Sequence, residues 1–160
     1  MSRSLALLFA ASALLAAHST SGSDLSRYKK VDAYEIRPGI LMMPVYNAKG
    51  QVCEIGLQPR NYSPESMHLD PGMLKEEIWQ AFDELAPLEV RGQQRTEQDY
   101  NSLDGNTMTE NKEYENVSFH IYSGLTFNRG TQDMNIERIM ENATVTHRAA
   151  AIQFKNHPCK

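Results

Sequence analysis

The chain has 160 residues, of which 41% are hydrophobic and 22% are charged, and its formal net charge is −4 at pH 7. This length is typical of a single domain. The slight excess of acidic residues offers no positive surface for nucleic acid or for anionic lipid. Composition therefore favours one domain and excludes nucleic-acid binding as the expected function.

The first 19 residues carry the pattern of a secretory signal peptide. Arg3 is followed by a run at 5–17 that is apolar except for Ser12, and then by small polar residues that suit cleavage after Ser19. This run is too short to cross a hydrocarbon core, which needs about 20 residues. We predict a secreted or periplasmic protein with no membrane span after cleavage. A polar lead-in follows at 20–33, and a single domain fills 34–160.

The chain contains two cysteines, Cys53 and Cys159. Cysteines of an exported protein are more often paired than free, and a bond between these two closes a long loop. We predict the disulfide Cys53–Cys159, which ties the C-terminal tail to the first hairpin. The alternative is a pair of buried free thiols.

The first predicted element is a hairpin at 40–57. Gly50 in its turn suits the positive φ that ends a type I turn with a bulge. The core face of the second strand holds Cys53, Ile55 and Leu57. Pro44 in the first strand has no N–H to donate, so this strand is predicted to lie at a sheet edge.

A helix is predicted at 71–85. Asp70 suits the N-cap, Pro71 fits the first helical position, and Pro87 ends the helix. Its apolar face has the spacing of an amphipathic helix and consists of Leu74, Ile78, Ala81, Phe82 and Leu85. Such a stripe is wide enough to cover one face of a sheet.

The segment 91–113 contains few apolar side chains. Loops of this length without secondary structure are uncommon in compact domains and are usually functional or disordered. We predict a mobile polar loop. The alternative is a small hairpin turned at Asp104-Gly105. An EF-hand interpretation of 99–110 fails, because Gly105 falls one place out of register.

The C-terminal part contains three further predicted elements. Alternating apolar and polar residues at 117–122 indicate a half-buried strand. Asp133 is a candidate cap for a short second helix, and a last strand is predicted at 148–154. Together the elements predict an α+β fold, in which an antiparallel or mixed four-stranded sheet is packed on one face by one main helix and the short second helix.

Two resemblances are carried by short motifs. Gly50-Gln51-Val52, Leu69-Asp70 and Ala81-Phe82 resemble the ββα half of TonB C-terminal-like periplasmic modules, in which a G-x-V strand leads to an LD helix start. The pattern from Tyr34 through Gly50 to Cys159 is similar to small secreted bacterial proteins of no known function. The first resemblance implies a similar half of a fold and a periplasmic protein-binding role.

Residues that bear catalytic or metal-binding chemistry are sparse in the sequence. His68 with Asp70 is a candidate metal pair, although the helix cap also explains Asp70. His120 and His147 are candidate catalytic residues if their strands pair suitably, although a solvated sheet face explains His120 as well. Neither a nucleophile motif nor a zinc spacing is present, and we predict no cofactor.

These observations favour an exported, non-catalytic protein-interaction module with an unknown protein partner. We expect the partner to contact the edge strand near Pro44 or the loop 91–113. The alternative is a small extracellular hydrolase that pairs His120 or His147 with a carboxylate.

Overall fold

The computed structural model describes residues 33–61, 71–127 and 141–160. The predicted signal peptide, almost all of the polar lead-in, the candidate metal pair His68 and Asp70, and the second helix near Asp133 lie outside the described residues. Within these three ranges, no helix has both the length and the apolar character needed to cross a membrane.

Seven strands form one sheet in the described part of the chain, and all neighbouring strands are antiparallel. They are β1 Tyr34–Arg37, β2 Ile40–Tyr46, β3 Val52–Pro59, β4 Tyr100–Asp104, β5 Thr107–Glu113, β6 Val117–Phe127 and β7 Ala143–Phe154. Their order across the sheet is β1-β2-β3-β7-β6-β5-β4. The last strand, β7, therefore joins two three-stranded meanders, β1-β2-β3 and β4-β5-β6.

The main helix is α1 Lys75–Leu85, followed by the short α2 Leu88–Arg91 and a 3-10 turn at Thr96–Gln98. The predicted helix is thus confirmed, with a later start. Leu74 precedes it in an extended conformation and is 71% exposed, so its predicted place on the apolar face is wrong. The remaining members of that face, Ile78, Ala81, Phe82 and Leu85, are buried.

The core lies between α1 and one face of the sheet, and aromatic rings fill its centre. Phe82 of α1 stacks on Phe119 of β6 with 4.1 Å between ring centroids and 5° between planes. Trp79 meets both rings edge-on, at 5.7 and 5.1 Å. Such pairs add stabilisation beyond their buried area, about 0.5–1.5 kcal/mol each.

The predicted four-stranded sheet packed by two helices is wrong, because the described sheet has seven strands. The strands that the four-stranded prediction did not include, β1, β4 and β5, lie in the outer parts of the sheet. Four of the five β4 residues are exposed, and β1 buries none of its side chains fully. Strands that contribute little to the core need no apolar alternation, so hydrophobic periodicity does not reveal them.

The predicted edge position of the strand around Pro44 is also wrong, because β2 is the second strand and β1 forms the edge. However, β1 pairs only with Ile40, Leu41 and Met42. Pro44 lies beyond that pairing and is opposite Ile55 of β3. On the outer side of Pro44 no described residue needs its missing N–H, so proline is tolerated there.

Candidate functional site

The predicted disulfide is confirmed. Cys53 of β3 is bonded to Cys159 with 5.1 Å between Cα atoms. The bond fixes the tail next to the β2–β3 turn, where the Asn47 side chain donates a 3.4 Å hydrogen bond to the carbonyl of Pro158. A disulfide and a described chain without a membrane-spanning helix are compatible with an extracellular or periplasmic protein.

A cleft of about 390 Å³ adjoins the disulfide. Its polar walls are largely bonded to their own neighbours. Gln153 donates to Glu54 at 3.1 Å, and the Lys155 ammonium donates to the carbonyl of Tyr114 at 2.6 Å. The cleft therefore offers no convergent set of polar groups to a ligand.

The two candidate catalytic histidines do not meet. His120 lies opposite Ala151 and Asn111 in the sheet, on the face turned away from α1. His147 lies opposite Ser123, further along the same strand pair and on the face that α1 covers. A shift of register in β7 between these positions changes which face His147 occupies.

His147 is instead bonded to a buried serine. The Ser123 Oγ and the His147 Nδ1 are 2.8 Å apart, and Ser123 is only 1% exposed. The carboxylate of Glu110, 3.2 Å from the Lys75 ammonium, acts on the same imidazole. Burial lowers the pKa of His147, an effect that the charge of Glu110 opposes in part.

This cluster has the residue types of a hydrolase but not the access. A nucleophilic serine has to reach a bound substrate, whereas the Ser123 hydroxyl is enclosed. The backbone carbonyl of His147 also accepts a 2.8 Å hydrogen bond from the N–H of Met73. We interpret the cluster as a contact that fixes the segment before α1 to β7.

A second polar cluster joins β5, β6 and the end of β7. The Glu113 carboxylate accepts hydrogen bonds from Asn111 at 2.9 Å, Ser118 at 2.8 Å and the Lys155 ammonium at 2.6 Å. Burial alone would raise the pKa of Glu113, but these hydrogen bonds outweigh burial and lower it. Both Glu113 oxygens accept hydrogen bonds within the fold, whereas the buried Oδ1 of Asn111 has no hydrogen-bond partner among the described residues.

No group of three or more metal-ligating side chains occurs among the described residues. The candidate metal pair His68 and Asp70 falls outside that part of the chain, so the pair stays a prediction.

The predicted mobile loop at 91–113 is wrong, and the alternative hairpin is confirmed. Asp104 and Thr107 flank the Gly105-Asn106 turn, and β4 pairs with β5 along its whole length. The predicted turn at Asp104-Gly105 was placed one residue too early, because the two turn residues are Gly105 and Asn106. What the sequence did not reveal is that β4 is the outermost strand of the sheet that the described residues form.

The register defines which main-chain groups of β4 face outward. Opposite residues in an antiparallel pair alternate between exchanging both hydrogen bonds and exchanging none. Asp104 and Thr107 close a two-residue turn and are therefore a bonded pair. It follows that Ser102 also bonds to β5, whereas the N–H and C=O groups of Asn101 and Leu103 point away from the sheet.

The two edges of the sheet differ in how open they are. In β1 the pairing shifts between Glu35 and Arg37, and Arg37 bonds the Glu77 carboxylate at 2.9 Å. Bulges and inward-held charges are common ways to protect an edge strand. By contrast, β4 has regular pairing and contains no lysine, arginine or proline. The outward groups of β4 are therefore the more available of the two.

In comparisons with models of protein families, with curated proteins and with solved structures, nothing matches the chain. The resemblance to TonB C-terminal-like modules therefore stays a prediction.

Proposed function

We propose that the protein is an exported, non-catalytic interaction module that binds a protein partner by adding a strand to β4. Export is supported by the apolar N-terminal segment at 5–17 together with the Cys53–Cys159 disulfide. The observation that carries the binding role is the open, regular edge of β4.

Strand addition uses main-chain hydrogen bonds for affinity and side-chain contacts for specificity. The outward N–H and C=O groups of Asn101 and Leu103 supply the first component. Tyr100, which is 52% exposed, supplies an aromatic side chain of the kind enriched at protein interfaces. Leu103 is half-buried and adds a small apolar contact on the opposite face of the strand.

The test compares two substitutions at one position. Asn101→Pro removes one outward N–H and places a ring at the edge, whereas Asn101→Ala keeps the N–H. Both variants should fold, because the lost donor is not bonded to β5. We expect proteins crosslinked to the wild-type chain in the secreted or envelope fraction to be retained by Asn101→Ala and lost by Asn101→Pro.

Capture of the same set of proteins by wild-type and Asn101→Pro chains would show that β4 is not the contact surface. Ser102→Pro serves as the positive control for misfolding, since its N–H bonds to β5. Its thermal unfolding should occur at a lower temperature than that of Asn101→Pro.

A hydrolase is the second candidate, because Ser123 and His147 are 2.8 Å apart; the burial of the Ser123 hydroxyl argues against it. Its test is the His147→Gln variant, assayed on ester and peptide substrates beside the wild-type chain. A hydrolase would lose activity in this variant, while an interaction module would show no activity in either chain.

A further inference from the structure

We infer that the partner of β4 is a second copy of this chain, paired antiparallel to it about a twofold axis that passes through Ser102. This inference rests on the proposed function, since it names the occupant of the same edge. It makes the protein a self-associating module whose two sheets join through their β4 strands.

The arrangement of outward groups in β4 is self-complementary. In an antiparallel pair centred on Ser102, Asn101 of each copy lies opposite Leu103 of the other. These are the two residues whose main-chain groups point outward, so they can exchange hydrogen bonds in the pattern that antiparallel pairing requires. A pairing shifted by one residue would place outward groups opposite inward ones.

Side-chain pairing about this axis is also favourable. Tyr100 of each copy lies opposite Asp104 of the other, which pairs an uncharged aromatic side chain with a carboxylate. Asp104 does not face its own symmetry mate, so the pairing avoids the like-charge contact that destabilises cross-strand pairs. At the centre, Ser102 faces a second Ser102, two small polar side chains that the strands accommodate.

Among the described residues, no strand pairs with the outer side of β4. Tyr100, Asn101, Ser102 and Asp104 are all exposed. Asp99, which precedes the strand, is directed inward, since it accepts a 2.8 Å hydrogen bond from the N–H of Glu113. A five-residue contact is small for a stable complex, so the pairing should be weak and dependent on concentration.

Single cysteine substitutions test the register in the otherwise intact chain. Opposite residues in a non-bonded antiparallel pair have Cα atoms about 4.5 Å apart, which lies inside the range of roughly 4.4–6.8 Å that a disulfide needs. We expect Ser102→Cys to give a disulfide-linked dimer on mild oxidation. In the matched control Asn101→Cys, the two cysteines lie diagonally across the axis from each other. This variant should give at least about tenfold less dimer.

The outcomes separate this inference from the proposed function. Equal crosslinking by Ser102→Cys and Asn101→Cys would overturn the twofold register. Sedimentation equilibrium that shows only a monomer over a wide concentration range, with no Ser102→Cys dimer, would overturn self-association altogether. If Asn101→Pro then still loses captured proteins, the proposed strand addition stands with a different partner.

Discussion

Two glycines adopt nearly the same left-handed conformation in different surroundings. They therefore allow the cost of backbone strain to be separated from the cost of a steric collision. Gly50 and Gly72 both have φ 75°. A Cβ at Gly50 would meet no atom within 4 Å, whereas one at Gly72 would lie 2.5 Å from the carbonyl oxygen of His147. Gly72 therefore permits the approach of its segment to β7.

We expect Gly50→Ala to cost roughly 1–2 kcal/mol, the usual penalty of a left-handed backbone with a side chain. Gly72→Ala adds a steric collision with backbone and should cost clearly more. The free energy of unfolding in urea, measured for both variants, checks the difference. Equal losses would contradict the close approach of residues 72 and 147.

His147 should make stability depend on pH. Burial lowers its pKa in the folded protein, so the unfolded chain binds a proton more readily. The contribution of His147 to the free energy of unfolding is therefore fully present above the ordinary histidine pKa of about 6.5. It decreases as the pH falls below that value. We expect urea unfolding of the wild-type chain to show a larger loss from pH 7 to pH 5 than unfolding of His147→Gln.

The control for this measurement is His120→Gln, which removes an imidazole from the opposite face of the sheet. That variant retains His147, so its loss of stability from pH 7 to pH 5 should match that of the wild-type chain. A wild-type slope no steeper than that of His147→Gln would show that the imidazole is not held neutral by the fold.

At the scale of elements, the β4–β5 hairpin shows how a polar segment becomes part of a sheet. Its position depends on charged contacts rather than on a large apolar surface. Glu113 at the end of β5 binds Ser118 and Lys155, and the Asp99 carboxylate accepts hydrogen bonds from the N–H of Glu113 and from the Lys112 ammonium. Because Asp99 and Lys155 are distant from Glu113 in the sequence, no local pattern predicts these contacts.

Two glutamates two positions apart allow a matched test of the contacts around Glu113. Glu113→Gln weakens contacts with a half-buried ammonium and should cost about 1–3 kcal/mol at pH 7. Glu115→Gln affects an ion pair with Arg95 at 3.7 Å, in which both side chains are more than 40% exposed. Exposed pairs contribute about 0–1 kcal/mol, so thermal unfolding should change little.

The difference between the two glutamate variants should also vanish in acid. The pKa of Glu113 is lowered in the folded protein, so its stabilisation is present above the ordinary glutamate pKa and is lost as the pH falls through the folded value. A persistent difference in strong acid would mean that the charge of Glu113 is not the cause.

At the scale of the whole molecule, the disulfide ties the end of the chain to the first meander. It joins residues 106 positions apart, for which the chain-entropy model gives about 4–5 kcal/mol. We expect the double variant Cys53→Ala and Cys159→Ala to unfold at a lower urea concentration than the wild-type chain. Intact-mass analysis should find no alkylated thiol unless a reductant is added first.

Detection of two alkylated thiols in the unreduced protein would contradict the disulfide. A double variant as stable as the wild-type chain would show instead that the bond contributes nothing to stability.

The sequence by itself determined those features that depend on nearby residues or that allow a single pairing. The β2–β3 turn follows from Gly50, and the end of α1 follows from its apolar spacing and Pro87. The pairing of Cys53 with Cys159 was the single disulfide that two cysteines allow. The first two depend on near neighbours, and the third on there being a single possible pair of cysteines.

The tertiary structure alone decided the order of the strands, the open edge at β4 and the surroundings of His147. The insertion of β7 between β3 and β6 brings together residues 16 to 99 positions apart. The most distant of these pairs can form only after the chain has closed long loops. The side chains of β4 show no sign of this position, since main-chain hydrogen bonds are available to every residue except proline.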